Sequence, residues 1–300
     1  MSEGLLARLE RAKAIHPPKW LVANTCYLTE MGSHAYGSNE DSSDLDVYGF
    51  CIPPKDMVFP HLRGEIPGFG HQVERFQQWQ QHHIDDPDGK SRQYDFQVYS
   101  VVKYFQLCME NNPNVLDSLF TSRECVLHST AVAELVRENR RLFLHKGAKH
   151  KFMGYAFSQA HKIRLKRPEA GSRRAEYIEK FGYNVKYASH LVRLVLQCEQ
   201  ILTEGDVDLR RHSEVLKSIR RGEWEEERVH RWFAEKEPEV ERLYEKCAVL
   251  PHTPPYERLR DLLLRCLEHH YGSLADAVVQ TGKAERALAD IRRTLEASGY

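Results

Sequence analysis

Near residue 130 the apolar pattern of this chain changes period, and that change restricts the fold more than any other feature. Before it, short segments alternate apolar and polar residues as half-buried strands do. Leu45 to Pro53 is one, carrying Leu45, Val47, Tyr48, Phe50 and Ile52 and closed by Pro53 and Pro54; Tyr94 to Tyr99 is another. Trp20 to Leu28 reads as a helix end or a strand leading into a turn at Met31, Gly32 and Ser33. Short helices are expected over 5–15 and from Val101 to Glu110, with a loop over Asp85 to Lys90. After residue 130, helical periodicity covers 131–145, 148–166, 174–203, 211–221, 224–246, 256–270 and 273–297, with stops at Pro168, Gly205, Pro238 and Pro251 to Pro255. Strands followed by helices point to an α+β class. The expected architecture is a small mixed β-sheet domain with flanking helices over 1–130, then an all-helical domain over 131–300, with a binding cleft between them.

Composition excludes more than it selects. Lys plus Arg and Asp plus Glu number 43 each, so net charge neither favours nor opposes a nucleic-acid partner. No apolar run approaches the roughly 20 residues that span a bilayer, and the opening residues are too charged for a secretory signal. The seven cysteines are scattered and never spaced as CxxC. No membrane association, no zinc and a reducing cytoplasm are expected.

Chemistry concentrates in one segment. Gly32 and Ser33 are followed by ten residues and then by Asp44-Leu45-Asp46, which opens the apolar strand. Residues two apart on a strand face the same way, so Asp44 and Asp46 present two carboxylates side by side. Such a pair repels unless a cation sits between its members, and hard oxygen ligands select Mg²⁺ or Mn²⁺. A glycine lets the backbone approach phosphate oxygens, and the amide and hydroxyl of Ser33 can donate to them.

The Gly32-Ser33 pair ahead of a strand-borne Asp44-x-Asp46 resembles the DNA polymerase β-like nucleotidyltransferase superfamily. The match narrows with Gly32 to Gly37 and Ser43 to Gly49, with Asp95 to Leu107 running into Asn112 to Phe120, and with Gly182 to Leu194. These segments look like the RNA-repair-pathway DNA polymerase β family, over about residues 20 to 270. The superfamily adds a third carboxylate on a neighbouring strand, and the resemblance assigns it to Asp95, ahead of Glu74 and Asp86. Metal binding by Asp44, Asp46 and Asp95 is what the resemblance implies.

In the helical region Lys186, His190 and Arg193 fall on one helix face, and Tyr155, Gln159 and Lys162 repeat that spacing. A solvated polar face is one reading of them; a triphosphate subsite is the other, with Lys186 and Arg193 supplying charge. Tyr36 is expected to pack as readily as to bind. Lys146 to Lys151 and His161 to Arg174, the latter ending in an exposed basic loop from Arg167, form basic clusters that suit either solvent or an RNA or DNA track.

The expected activity is transfer of a nucleoside monophosphate from a nucleoside triphosphate to an acceptor hydroxyl, with release of pyrophosphate. An RNA end is the first choice of acceptor; a protein side chain or a small hydroxyl compound is the alternative. A non-catalytic RNA- or nucleotide-binding protein and a metal-dependent phosphohydrolase are the rivals from other classes.

Overall fold

The computed structural model describes residues 4–38, 44–66, 68–89, 93–165, 173–278 and 283–297. Five strands, β1 (Thr25–Glu30), β2 (Leu45–Cys51), β3 (Gln78–Asp85), β4 (Gln93–Ser100) and β5 (Val126–Ser129), form one sheet in the order β3-β4-β2-β1-β5. The central β2–β4 pair is parallel and its neighbours are antiparallel, so the sheet is mixed. The α+β class is as expected.

Alternation decides which way the sheet faces. Leu45 and Val47 on β2, and Tyr94, Phe96 and Val98 on β4, turn to one side with Trp79 and Ile84. Helix α1 (Leu5–Arg11) covers them with Leu6 and Leu9, joined by Ile15 and Leu21, the first residue of α2 (Leu21–Asn24). Asp46 and Asp95 lie out of phase with that set and emerge on the opposite face. Helix α1 ends at Arg11, short of the expected residue 15. The turn expected at 31–33 is a single helical turn, α3 (Gly32–Ala35), and α4 (Lys55–Val58) follows β2.

On the carboxylate side of the sheet, α5 (Val101–Met109) is capped by the Ser100 hydroxyl, and α6 (Pro113–Asp117) by the Asn112 side chain with Pro113 at its first position. The helical region begins with α7 (Ala131–Glu138), continued by a 3₁₀ turn over Arg140–Phe143. Then come α8 (Ala148–Leu165), α9 (Arg173–Phe181), α10 (Val185–Glu204), α11 (Ser213–Arg220), α12 (Glu226–Lys246), α13 (Tyr256–Tyr271), α14 (Ala275–Val278) and α15 (Lys283–Ala297). Phe50 and Tyr104 beside the sheet share one apolar cluster with Phe152, Leu191, Val195, Val229 and Leu267, so helices and sheet are joined by a continuous core.

Two helix boundaries differ from expectation. The helix anticipated over 174–203 is broken, because the Asn184 side chain accepts from the backbone amides of Lys186 and Tyr187 and starts α10 afresh. Helix α12 runs through Pro238, which lies on its exposed side. Gly205 closes α10 in the left-handed conformation, as a C-terminal glycine does. The stop at Pro168 and most of the basic loop to Arg174 lie outside the described residues. All seven cysteines are buried free thiols. No helix among the described residues is long and apolar enough to cross a membrane.

Candidate active site

Parallel pairing of β2 with β4 sets Asp46 directly across from Asp95. Asp44 stands just ahead of β2 and is exposed, whereas Asp46 and Asp95 are half-buried. The Asp46 carboxyl is pushed above its ordinary range, by burial first and then by the Asp95 and Asp44 charges; Lys186 and His82 oppose the shift. Asp95 is held from the edge strand, where its Oδ1 accepts the backbone amide of His83 at 2.7 Å and lies 3.6 Å from His82 Nδ1.

The end of β1 brings the Gly32-Ser33 turn against these carboxylates. The Met31 amide donates to the Asp46 carbonyl at 2.7 Å, and the chain then enters α3 through Gly32 at φ +60°. A Cβ at Gly32 would lie 2.1 Å from Asp46 Oδ2. Glycine is therefore demanded twice, by the backbone and by the carboxylate. Gly32→Ala is expected to cost about 1–2 kcal/mol from the left-handed backbone alone and to weaken nucleotide binding further by displacing Asp46. Thermal unfolding beside calorimetric titration with a nucleoside triphosphate checks this; unchanged affinity would detach the turn from phosphate binding.

Helix α10 supplies the positive side. Lys186 is exposed near its start, and its charge is felt at both Asp46 and His190. Burial, with Arg193, Lys162 and Lys186 nearby, pulls the His190 imidazole down to about 3, so the ring is neutral. Lys162 comes from α8 and sits over the Tyr187 ring. Gln159 is buried and the Tyr155 hydroxyl lies 3.5 Å from Asn112 Nδ2. The stripe expected to be solvated or ligand-facing is thus partly inside the protein.

Arg193 departs from its expected place. It is buried, and its Nη1 donates to Asp117 Oδ2 at 2.6 Å, to the Tyr36 hydroxyl at 2.7 Å and to Gln197 Oε1 at 3.1 Å. Its guanidinium carbon lies 4.1 Å from the Tyr36 ring centroid. Tyr36 ends the α3 turn, so Arg193 braces the Gly32-Ser33 turn from behind instead of joining Lys186 at the carboxylates. Asp117, His82 and His83 were not singled out as site residues from sequence. Asp117 lies in the Asn112 to Phe120 segment; nothing local in Gln78 to Asp85 marks the two histidines.

The carboxylates fit a divalent cation on electrostatic grounds. Burial and two like charges disfavour the ionised form of Asp46, a cost that a cation beside it relieves. Among the described residues no group of three His, Cys, Asp or Glu side chains has metal-binding spacing. A cavity of about 180 Å³ lies elsewhere, lined by Cys26, Thr130, His269 and His270 among others. It holds no carboxylate. The basic residues before α8 and in its first turn are largely engaged: Lys149 pairs with Glu241, Lys151 with Glu110, and Lys146 sits over Tyr244.

Comparison with known proteins gives three likenesses. The model of the RNA repair pathway DNA polymerase beta family matches residues 1–265. An uncharacterized 38.9 kDa protein of the nrdC-mobD intergenic region of Enterobacteria phage T4 is 28% identical over 140 residues, 45% of this chain and 37% of the phage protein. This chain therefore spans well under half of that relative. A nucleotidyltransferase-like protein from Exiguobacterium sibiricum 255-15 aligns over 90% of this chain and 74% of its own, at 12% identity and a TM-score of 0.29, too slight a likeness to argue from.

Proposed function

The chain belongs to the RNA repair pathway DNA polymerase beta family, and from that premise we propose that it is a metal-dependent nucleotidyltransferase acting on an RNA end. One observation carries the reading: Asp46 and Asp95 are paired in register on parallel strands, with Gly32 pressed against the Asp46 carboxylate. Three carboxylates beside a glycine-led turn suit a nucleoside triphosphate that arrives with divalent cations, which the acids and the phosphates share.

In this reading Asp44, Asp46 and Asp95 hold Mg²⁺ or Mn²⁺. The ions supply neutralisation of charge on the reacting phosphoryl group and the leaving pyrophosphate. The amide and hydroxyl of Ser33 donate to the β and γ phosphates, and Lys186 adds positive charge from α10. Asp95 accepts the proton of the acceptor hydroxyl. The acceptor oxygen bonds to the α-phosphorus, the bond to the β-phosphate oxygen breaks, and pyrophosphate departs. Positioning and electrostatics suffice, and no covalent intermediate on the protein is needed.

The test is incubation with each of four α-labelled nucleoside triphosphates, Mg²⁺ or Mn²⁺, and a mixed RNA pool. Label on RNA, with stoichiometric pyrophosphate, is the expected result. Label on protein or on a small hydroxyl compound would keep the chemistry and replace the acceptor. Free monophosphate alone would make the protein a phosphohydrolase. RNA binding with no turnover under any metal would make it a non-catalytic binder.

A further inference from the structure

Strand β3 is irregular at one place only in its pairing with β4. Gln81 pairs with Phe96 and Ile84 with Tyr94, so two residues, His82 and His83, stand opposite the single residue Asp95. This is a β-bulge, one extra residue inserted into an antiparallel ladder. His83 has φ +55°, a left-handed conformation unusual for a side chain of its size. The bulge also moves the buried phase of the strand from Trp79 to Ile84, so it changes the register of everything that follows.

The backbone amide released by the bulge points at a carboxylate. His83 N donates to Asp95 Oδ1 at 2.7 Å, and His82 Nδ1 lies 3.6 Å from the same oxygen. Both groups thus engage one oxygen of Asp95, and no hydrogen bond among the described residues falls on the other. The influence extends to Asp46, where the His82 charge is felt. Strained backbone and bulges recur where a side chain must be aimed, and here the aimed group is a candidate metal ligand.

We propose that the His82–His83 bulge is a positioning device that fixes the Asp95 carboxylate for divalent metal binding. The inference rests on the metal-site reading given above. Neighbours that orient a ligating carboxylate commonly affect metal affinity by about 10–100-fold. Deleting His83 separates this role from a structural one, because it restores unbroken pairing from Gln81 through Ile84 and keeps Trp79 and Ile84 buried. A purely structural bulge would make the deletion destabilising and leave metal affinity alone.

The experiment is titration of the full chain with Mn²⁺, read by the electron paramagnetic resonance signal of the free ion, with thermal melts alongside. Asp46→Asn serves as the control for the site. Deletion of His83 is expected to weaken Mn²⁺ by about tenfold or more, with no loss of melting temperature. His83→Gly, which accepts the positive φ and keeps the amide, is expected to bind as the wild type does. His83→Val, whose branched side chain disfavours the positive φ and so turns the amide away from Asp95, repeats the loss if the deletion does not fold. Wild-type affinity in a folded deletion or valine variant, with binding abolished by Asp46→Asn, overturns the bulge inference alone. Binding unaffected by Asp46→Asn overturns the metal site and the inference with it.

Discussion

Asp46→Asn is expected to lower nucleotide transfer by a factor of about 10³ or more while raising the melting temperature of the metal-free protein. Losing a ligand that delivers several kcal/mol of charge stabilisation to the reacting phosphoryl group corresponds to about three decades of rate at 1.36 kcal/mol per tenfold. The stability effect has the opposite sign. Burial and the neighbouring Asp95 and Asp44 charges raise the Asp46 carboxyl above its ordinary range. The folded state therefore keeps that proton to a higher pH than the unfolded chain does. Its stabilising contribution is complete below the ordinary carboxylate range and is lost as pH rises through the folded value. Near neutral pH the charged group is a burden, which the amide removes. Melts in a chelator should rank the variant above wild type, and Mn²⁺ should raise the wild type alone. A variant that keeps its activity would remove Asp46 from the metal site, and one that melts lower in chelator would refute the burial cost.

Arg193→Met is expected to destabilise the protein by about 3–5 kcal/mol, because it strands a buried carboxylate. Asp117 is fully buried, and one of its oxygens takes donors from Arg193, Tyr36 and Gln197. Its other oxygen has no hydrogen-bond partner among the described residues. Burial pushes the Asp117 carboxyl up, and the Arg193 charge is the first of the forces holding it down. Without that charge the acid takes a proton or draws in water. Arg193→Lys should recover little, since the planar guanidinium also lies over the Tyr36 ring, 4.1 Å from its centroid, and an ammonium does not stack in that way. Arg193→Met with Asp117→Leu should recover most of the loss, because the charge and its partner leave together. Urea unfolding of the four proteins measures this. A double variant no more stable than Arg193→Met would refute the ion-pair account.

These two sites differ in how far the sequence disclosed them. Asp46 was legible because Leu45 and Val47 alternate around it and a glycine-serine pair precedes it. Its pairing with Asp95 was not, since parallel register between strands separated by β3 leaves no local trace; the resemblance supplied it. Periodicity sets Arg193 on a helix face with Lys186 and His190, but it cannot say whether a face is open, and Arg193 is buried. Its partner Asp117 is 76 residues away. Strand β3 escaped notice because only Trp79 and Ile84 are buried in it, and the bulge between them breaks the two-residue period. The break before α10 was hidden because Asn184 sits between two segments of the same helical period, and its capping bonds are visible only once folded. Gly205 and the ends of β2 and β4 were found close to their places because glycine, proline and alternation act locally.

The burial of every native thiol makes the folded chain silent to maleimides and other thiol reagents. A cysteine introduced at an exposed position, such as Gln106 or Arg260, becomes the one rapidly reacting sulfur. Fluorophores and spin labels can then be installed without first replacing any of the seven. Slow appearance of the native thiols, followed with a chromogenic disulfide, gives a clock for the opening of each layer of the core.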